Sequence, residues 1–189
     1  MRKLAIVLLA GLFLTACSGI KVATDLDKTV DFNDYKSLEY WGWADDSDEI
    51  LTRFDRERIE NAIADEFKKR GIEIVEKGEG DMIVSLYIVA QEKVQRSATT
   101  TSMGGGYGGY YGYGPGYGWG GGHSTTTMHE YEYTEGTLLV SVFDAEKHEL
   151  IWESAGTGTI NEKPEKREAG IPKAAALIMK EYPVPPVAQ

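Results

Sequence analysis

The chain alternates between two hydrophobic periods, and each marks out an element. Lys21 to Asp25 is short and mixed, with Val22 apolar, and predicts a first strand. Ser37-Leu38-Glu39-Tyr40-Trp41-Gly42-Trp43 alternates, placing Leu38 and Tyr40 on one face and Glu39, Trp41 and Trp43 on the other. The period then lengthens. Ile59, Ala62, Ile63 and Phe67 recur at three-to-four spacing, the stripe of an amphipathic helix. Asp55 is its cap or first-turn acid, Lys68, Lys69 and Arg70 fill its last turn, and Gly71 stops it. Arg56, Arg58 and Glu60 lie off the stripe and read as solvated helix face. Ile72, Ile74 and Val75 make a short strand that the Gly78-Glu79-Gly80 turn closes.

Two long segments have mirror-image polarity. Asp81 to Ala90 begins apolar on both faces and becomes alternating through Gln91, Lys93 and Gln95. His129 to Glu135 is polar and alternating, then gives way to the apolar run from Gly136 to Phe143. Antiparallel arms of one long hairpin, dry in the sheet centre and wet at the tip, would show this pattern. After a turn at Asp144 to His148, Leu150 to Ala155 supplies another strand that runs on through Gly156, Gly158 and Ile160. Pro172 opens a last helix whose face holds Ile171, Ala174, Ala175, Ile178 and Tyr182, and Pro183 stops it. The expected fold is α+β: an antiparallel-rich sheet of about six strands, two helices packed on one face, and a Gly/Tyr-rich loop at the tip of the hairpin.

That tip carries the least ordinary composition. Residues 97–128 form a Gly/Tyr/Thr-rich insertion, expected to be flexible because glycine loses the most backbone entropy on ordering. Its rings are Tyr107, Tyr110, Tyr111, Tyr113, Tyr117 and Trp119, a candidate surface for stacking on a glycan or a partner protein. The G-x-G-x-x-G spacings at Gly104-Gly106-Gly109 and Gly116-Gly118-Gly121 neither follow a strand nor open a helix, so they are accidents of composition. His123, His129 and His148 lack an acid or thiol completing a recognisable metal set, and Asp25 to Asp34 lacks the glycine and distal Glu of a calcium loop. No metal and no cofactor is expected.

The N-terminus fixes location. Arg2 and Lys3 precede an apolar run from Leu4 to Leu14, too short for a bilayer span of about 20 residues and shaped as a removable export signal. Leu14-Thr15-Ala16-Cys17 resembles the bacterial lipobox, in which the cysteine is diacylated, the signal is cut before it and the new amine is acylated. Cys17 is the sole cysteine of the chain. Ser18 follows it, not the Asp that commonly retains such proteins at the inner membrane, so the outer membrane is the expected anchor site. Residues 1–16 are then signal, 17–183 a single domain including the insertion, and 184–189 a loose tail.

Charge narrows the partners. The formal charge is −10, and removing Arg2 and Lys3 with the signal takes it to −12. Such a chain is repelled by nucleic acid, which is excluded as a partner. No Ser/His/Asp, Cys/His or H-E-x-x-H arrangement is present, and no catalytic residues are assigned.

The ordered set Val22, Asp25, Phe32-x-x-Tyr35-Lys36, Trp41, Arg58-Ile59-x-x-Ala62-Ile63, Gly71, Gly136-Thr137-Leu138, Asp144, Leu150-Ile151-Trp152 and Ile171 to Tyr182-Pro183 resembles the bacterial lipoprotein family called domain of unknown function 4136. Many of its members carry a Gly/Tyr loop in the same hairpin. The resemblance implies an envelope lipoprotein with a sheet-and-helix domain and supplies no activity. The expected function is that of a non-enzymatic, outer-membrane-anchored lipoprotein, held through lipid on Cys17, that binds an envelope protein or glycan or supports the envelope structurally. The alternatives are adhesion or self-association through the aromatic loop and, further off, an envelope hydrolase working through a pair of carboxylates.

Overall fold

The computed structural model describes residues 19–102 and 124–187. It is α+β, with one six-stranded sheet in the order β1-β6-β5-β4-β2-β3. The strands are β1 (Lys21–Leu26), β2 (Ser37–Trp43), β3 (Glu73–Val75), β4 (Met82–Ser102), β5 (Ser124–Asp144) and β6 (Leu150–Thr159). The helices are α1 (Arg53–Lys68) and α2 (Pro164–Ile178), with 3-10 turns at Ala44–Ile50 and Met179–Glu181. Contacts divide the chain into a body, residues up to 91 and from 134, and a second unit, residues 92–133, made of the outer parts of β4 and β5. Within the second unit Arg96 Nε donates to Glu130 Oε1 at 2.7 Å between exposed side chains. Strand structure extends into both flanks of the Gly/Tyr stretch; residues 103–123, with that loop, fall outside the described residues.

The sheet is mixed, which corrects the antiparallel-rich expectation. β1 pairs antiparallel with β6, and β6 with β5, but β2 runs parallel to both β3 and β4. A clamp at the strand starts sets this direction. Asp81 accepts hydrogen bonds from the backbone N–H of Lys36 (2.9 Å) and Ser37 (3.0 Å), and Ser37 Oγ accepts from Asp81 N–H at 2.9 Å. Such a pairing spans more than forty residues of sequence, and no local pattern encodes it.

β2 also departs from strict alternation. Its pairing with β4 shifts between Tyr40 and Gly42, and Gly42 sits at φ +118°, where a side chain is strained. The bulge turns Trp43 onto the side of Tyr40, not that of Trp41. Tyr40 Oη and Trp43 Nε1 both donate to Glu60 Oε1 on α1, at 3.1 and 2.8 Å. Glu60 is therefore an anchor point for two aromatic rings, and Arg56 pairs with Asp48 at 2.7 Å. Both had read as solvated helix face.

Both helices cover one face of the sheet. α1 turns Ile59, Ala62, Ile63 and Phe67 inward, as its stripe predicts, and Gly71 at φ +76° ends it. α2 starts two turns earlier than predicted. Pro164 takes its first turn, where a missing N–H costs nothing, and Pro172 lies inside the helix. The predicted inner face survives, with Ala175 and Ile178 buried in the helix and Tyr182 just beyond it.

Met82, Val84, Leu86, Val140, Val142 and Trp152 meet these helices in one core. Tyr182 is its hub. Its ring makes edge contacts with Phe32, Phe67 and Trp152 at centroid separations of 5.7, 5.3 and 5.2 Å, and its hydroxyl reaches Met82 Sδ at 3.4 Å. Burial pushes the Tyr182 phenol above its ordinary range, with Arg70 opposing. Trp152, expected in the core from its strand, is wholly buried.

Candidate functional site: an apolar cavity beside the chain start

The body contains a cavity of about 390 Å³, open on one side, between α1, α2 and the sheet. It lies within the range of ligand-binding clefts, roughly 300–1,000 Å³. Its floor follows from the sequence of two strands. Gly136 on β5 stands opposite Gly158 on β6, so the sheet presents no side chain there. A Cβ on Gly136 would lie 2.7 Å from Ile160 Cδ1, and one on Gly158 would lie 3.0 Å from Ile20 Cγ1. The two isoleucines thus rest on bare backbone, and both line the cavity. Ile88 and Leu138 continue the floor, while Ile59, Gly170, Ile171 and Ala174 line the helix side. The small residues at 170 and 174 leave on α2 the room that larger side chains would fill.

One rim is polar and already neutralised. Asp55 accepts from Arg58 Nη1 (3.0 Å), Arg167 Nε (2.9 Å) and Thr52 Oγ1 (3.0 Å). Thr52 is the N-cap of α1, and its hydroxyl accepts from Asp55 N–H at 3.2 Å. Arg167 also donates to the carbonyls of Asn161 (3.0 Å) and Glu162 (2.7 Å), and Arg58 to Glu168 (3.1 Å). Burial by itself would raise the Asp55 pKa, but Thr52, Arg58 and Arg167 outweigh it and hold the carboxyl below its ordinary value. The network ties α1 to α2 and satisfies Asp55 at the cavity edge, where the exposed Lys166 also lines the opening.

The other buried carboxylates with shifted pKa are likewise held by fixed donors. Asp144 accepts from Tyr35 Oη at 2.7 Å, which holds it ionised, while burial and Asp144 push the Tyr35 phenol up to about 12. Burial raises the Glu66 pKa, but Lys69 (2.6 Å) and Arg70 (2.8 Å) outweigh it and leave it lowered.

Cys17 and the rings of Tyr107, Tyr110, Tyr111, Tyr113, Tyr117 and Trp119 lie outside the described residues. What sequence reading missed is the cavity and its Asp55 network. One part had a signal: Thr52-x-x-Asp55 before an apolar run is a capping-box spacing, and it would have moved the helix start to Thr52. Arg167 had none, since its partner is 112 residues away.

Fold and cavity define a class: an α+β body whose helices and sheet enclose an apolar cleft. The chain belongs to the family described as Domain of unknown function (DUF4136), whose model matches residues 22–184. No curated protein matches. Solved structures similar to it include a PDZ domain protein from Parabacteroides distasonis, at 13% identity and TM-score 0.48 over 90% of this chain. This chain spans 37% of that protein's length. A PelC dodecamer from Paraburkholderia phytofirmans is similar at 10% identity and TM-score 0.45, covering 85% of this chain and 94% of that one.

Proposed function

We propose that the protein is a non-enzymatic lipoprotein, anchored in the outer membrane through Cys17, whose body works by holding an apolar component of the envelope in the cavity. The observation that carries the reading is the cavity itself: a cleft of about 390 Å³ walled largely by isoleucine, leucine, alanine and bare glycine, with Asp55 on its edge closed into an ion-pair network and Lys166 the charge outside it. Two further observations support it. The lipobox-like Leu14 to Cys17 would deliver the body to a membrane surface. Asp55, Glu66 and Asp144 are held ionised by fixed donors, the opposite of the raised pKa that a general acid needs.

A photoreactive residue at Ile171, irradiated in cells, tests the binding role. The expected adduct is an apolar envelope molecule or acyl chain; irradiation that yields no adduct refutes binding in the cavity. The anchor is tested separately with Cys17→Ala, which should stay unprocessed at this site and lack the acyl mass that intact mass spectrometry finds on the wild type. An acyl mass persisting on the variant refutes the anchor.

A further inference from the structure

We propose that the cavity houses one of the acyl chains carried by Cys17, so that the protein shelters part of its own anchor. The inference rests on the lipid-anchored reading and names the occupant of the same site. Three observations lead to it. The first is position: Ile20 is a wall of the cavity and is fixed there by lying on Gly158, while Lys21 pairs with Thr157 directly after it. Cys17 is three residues upstream, so its Cα can stand no farther than about 10 Å from that of Ile20. An acyl chain on Cys17 begins within reach of the opening.

The second is capacity. An apolar cavity of 150 Å³ holds one six-carbon benzene, so about 390 Å³ admits on the order of fifteen carbons, the length of one common fatty acyl chain. Two or three chains do not fit. The remaining chains stay free to insert in the bilayer, and stable anchoring needs two. The third is chemistry. On the walls Asp55 is saturated by Thr52, Arg58 and Arg167, and the lining charge outside that network is the exposed Lys166. A tethered chain brings no headgroup with it. Tethering also raises its effective concentration at the cavity to the millimolar range, ahead of any free amphiphile in dilute solution.

The test uses the full lipoprotein from Gram-negative cells fed a fatty acid bearing a chain-borne diazirine. The protein is purified in detergent, its N-terminal peptide is weighed, and it is irradiated. The expected result is an acylated N-terminal peptide joined within the same molecule to peptides containing Ile59 or Ala174. Ala174→Phe should lower that yield at least tenfold with the acyl mass unchanged. Gly170→Leu should do the same, and a Cβ there meets nothing within 4 Å, so its side chain starts in open space. Shortening the fed acid should weaken occupancy about fourfold for each methylene removed from the cavity. An acylated protein crosslinked only to detergent or phospholipid overturns this inference and leaves the anchor standing. Crosslinks to the cavity from added free fatty acid, with none from the tethered chain, also overturn it. An N-terminal peptide without acyl mass overturns both readings.

Discussion

Trp152 gives the most demanding test of the body's packing. It is wholly buried, opposite Val142 on β5 and Leu26 on β1, with its ring edge-on to Tyr182 at 5.2 Å. Trp152→Ala removes a full indole from a region bounded by two strands and a ring cluster, which cannot collapse. Such changes cost about 3–5 kcal/mol, and the lost aromatic pair is part of that. A second quantity works the other way. Trp152 Nε1–H is buried with no hydrogen-bond partner, and an unsatisfied donor costs about 1–3 kcal/mol, which the truncation relieves. The net expectation lies at the low end, about 3 kcal/mol, or roughly 6–12 °C in midpoint for a domain of this size. Trp152→Phe separates the two effects. It keeps an aromatic ring against Tyr182 and removes the unpaired N–H, so it should cost no more than about 1 kcal/mol. Denaturant unfolding of wild type and both variants, followed by tyrosine and remaining tryptophan fluorescence, measures the difference. Equal midpoints for Ala and Phe, or no change with Ala, would refute the reasoning.

The Asp55 network should give the protein an acid limit. Its carboxyl is held below its ordinary value in the folded state, so its stabilising contribution is complete above the unfolded-state pKa of about 3.9 and is lost as pH falls from there through the folded value. Asp55→Asn should flatten that part of the stability–pH curve and cost roughly 1–3 kcal/mol at pH 7; an unchanged acid slope would count against it. Gly42→Ala should destabilise by about 1–3 kcal/mol, because φ +118° is closed to side chains, whereas the same change at Gly170, in a helix and with open space at its Cβ position, should be neutral or better; calorimetric midpoints decide. Replacing residues 103–122 with a short Gly/Ser turn should leave the thermal midpoint nearly unchanged, since closure entropy varies weakly with loop length. A marked loss of stability would make that segment an ordered part of the fold.

Sequence by itself determined the parts whose physics is local. Alternation located β2 and the outer arms of the hairpin, short apolar or mixed runs located β1, the inner hairpin and β6, and the stripe Ile59-Ala62-Ile63-Phe67 located α1 with its inner face correct. The inner face of α2 was also legible, but not its start, because a proline can open a helix or sit within one, and only the path into Pro164 selects which. The family, too, was legible from the ordered motifs. What only the tertiary structure decided depends on groups far apart in the chain. The parallel pairing of β2 with β4 comes from Asp81 gripping Lys36 and Ser37, and the reversal of Trp43 comes from a bulge whose reward is Glu60 on a helix. The cavity is of the same kind. Gly136, Gly158, Gly170 and Ala174 look unremarkable one at a time, and they make a space only because strand register and helix packing set their missing side chains around one volume. A residue's absence of bulk has no signature in sequence until its neighbours in space are known.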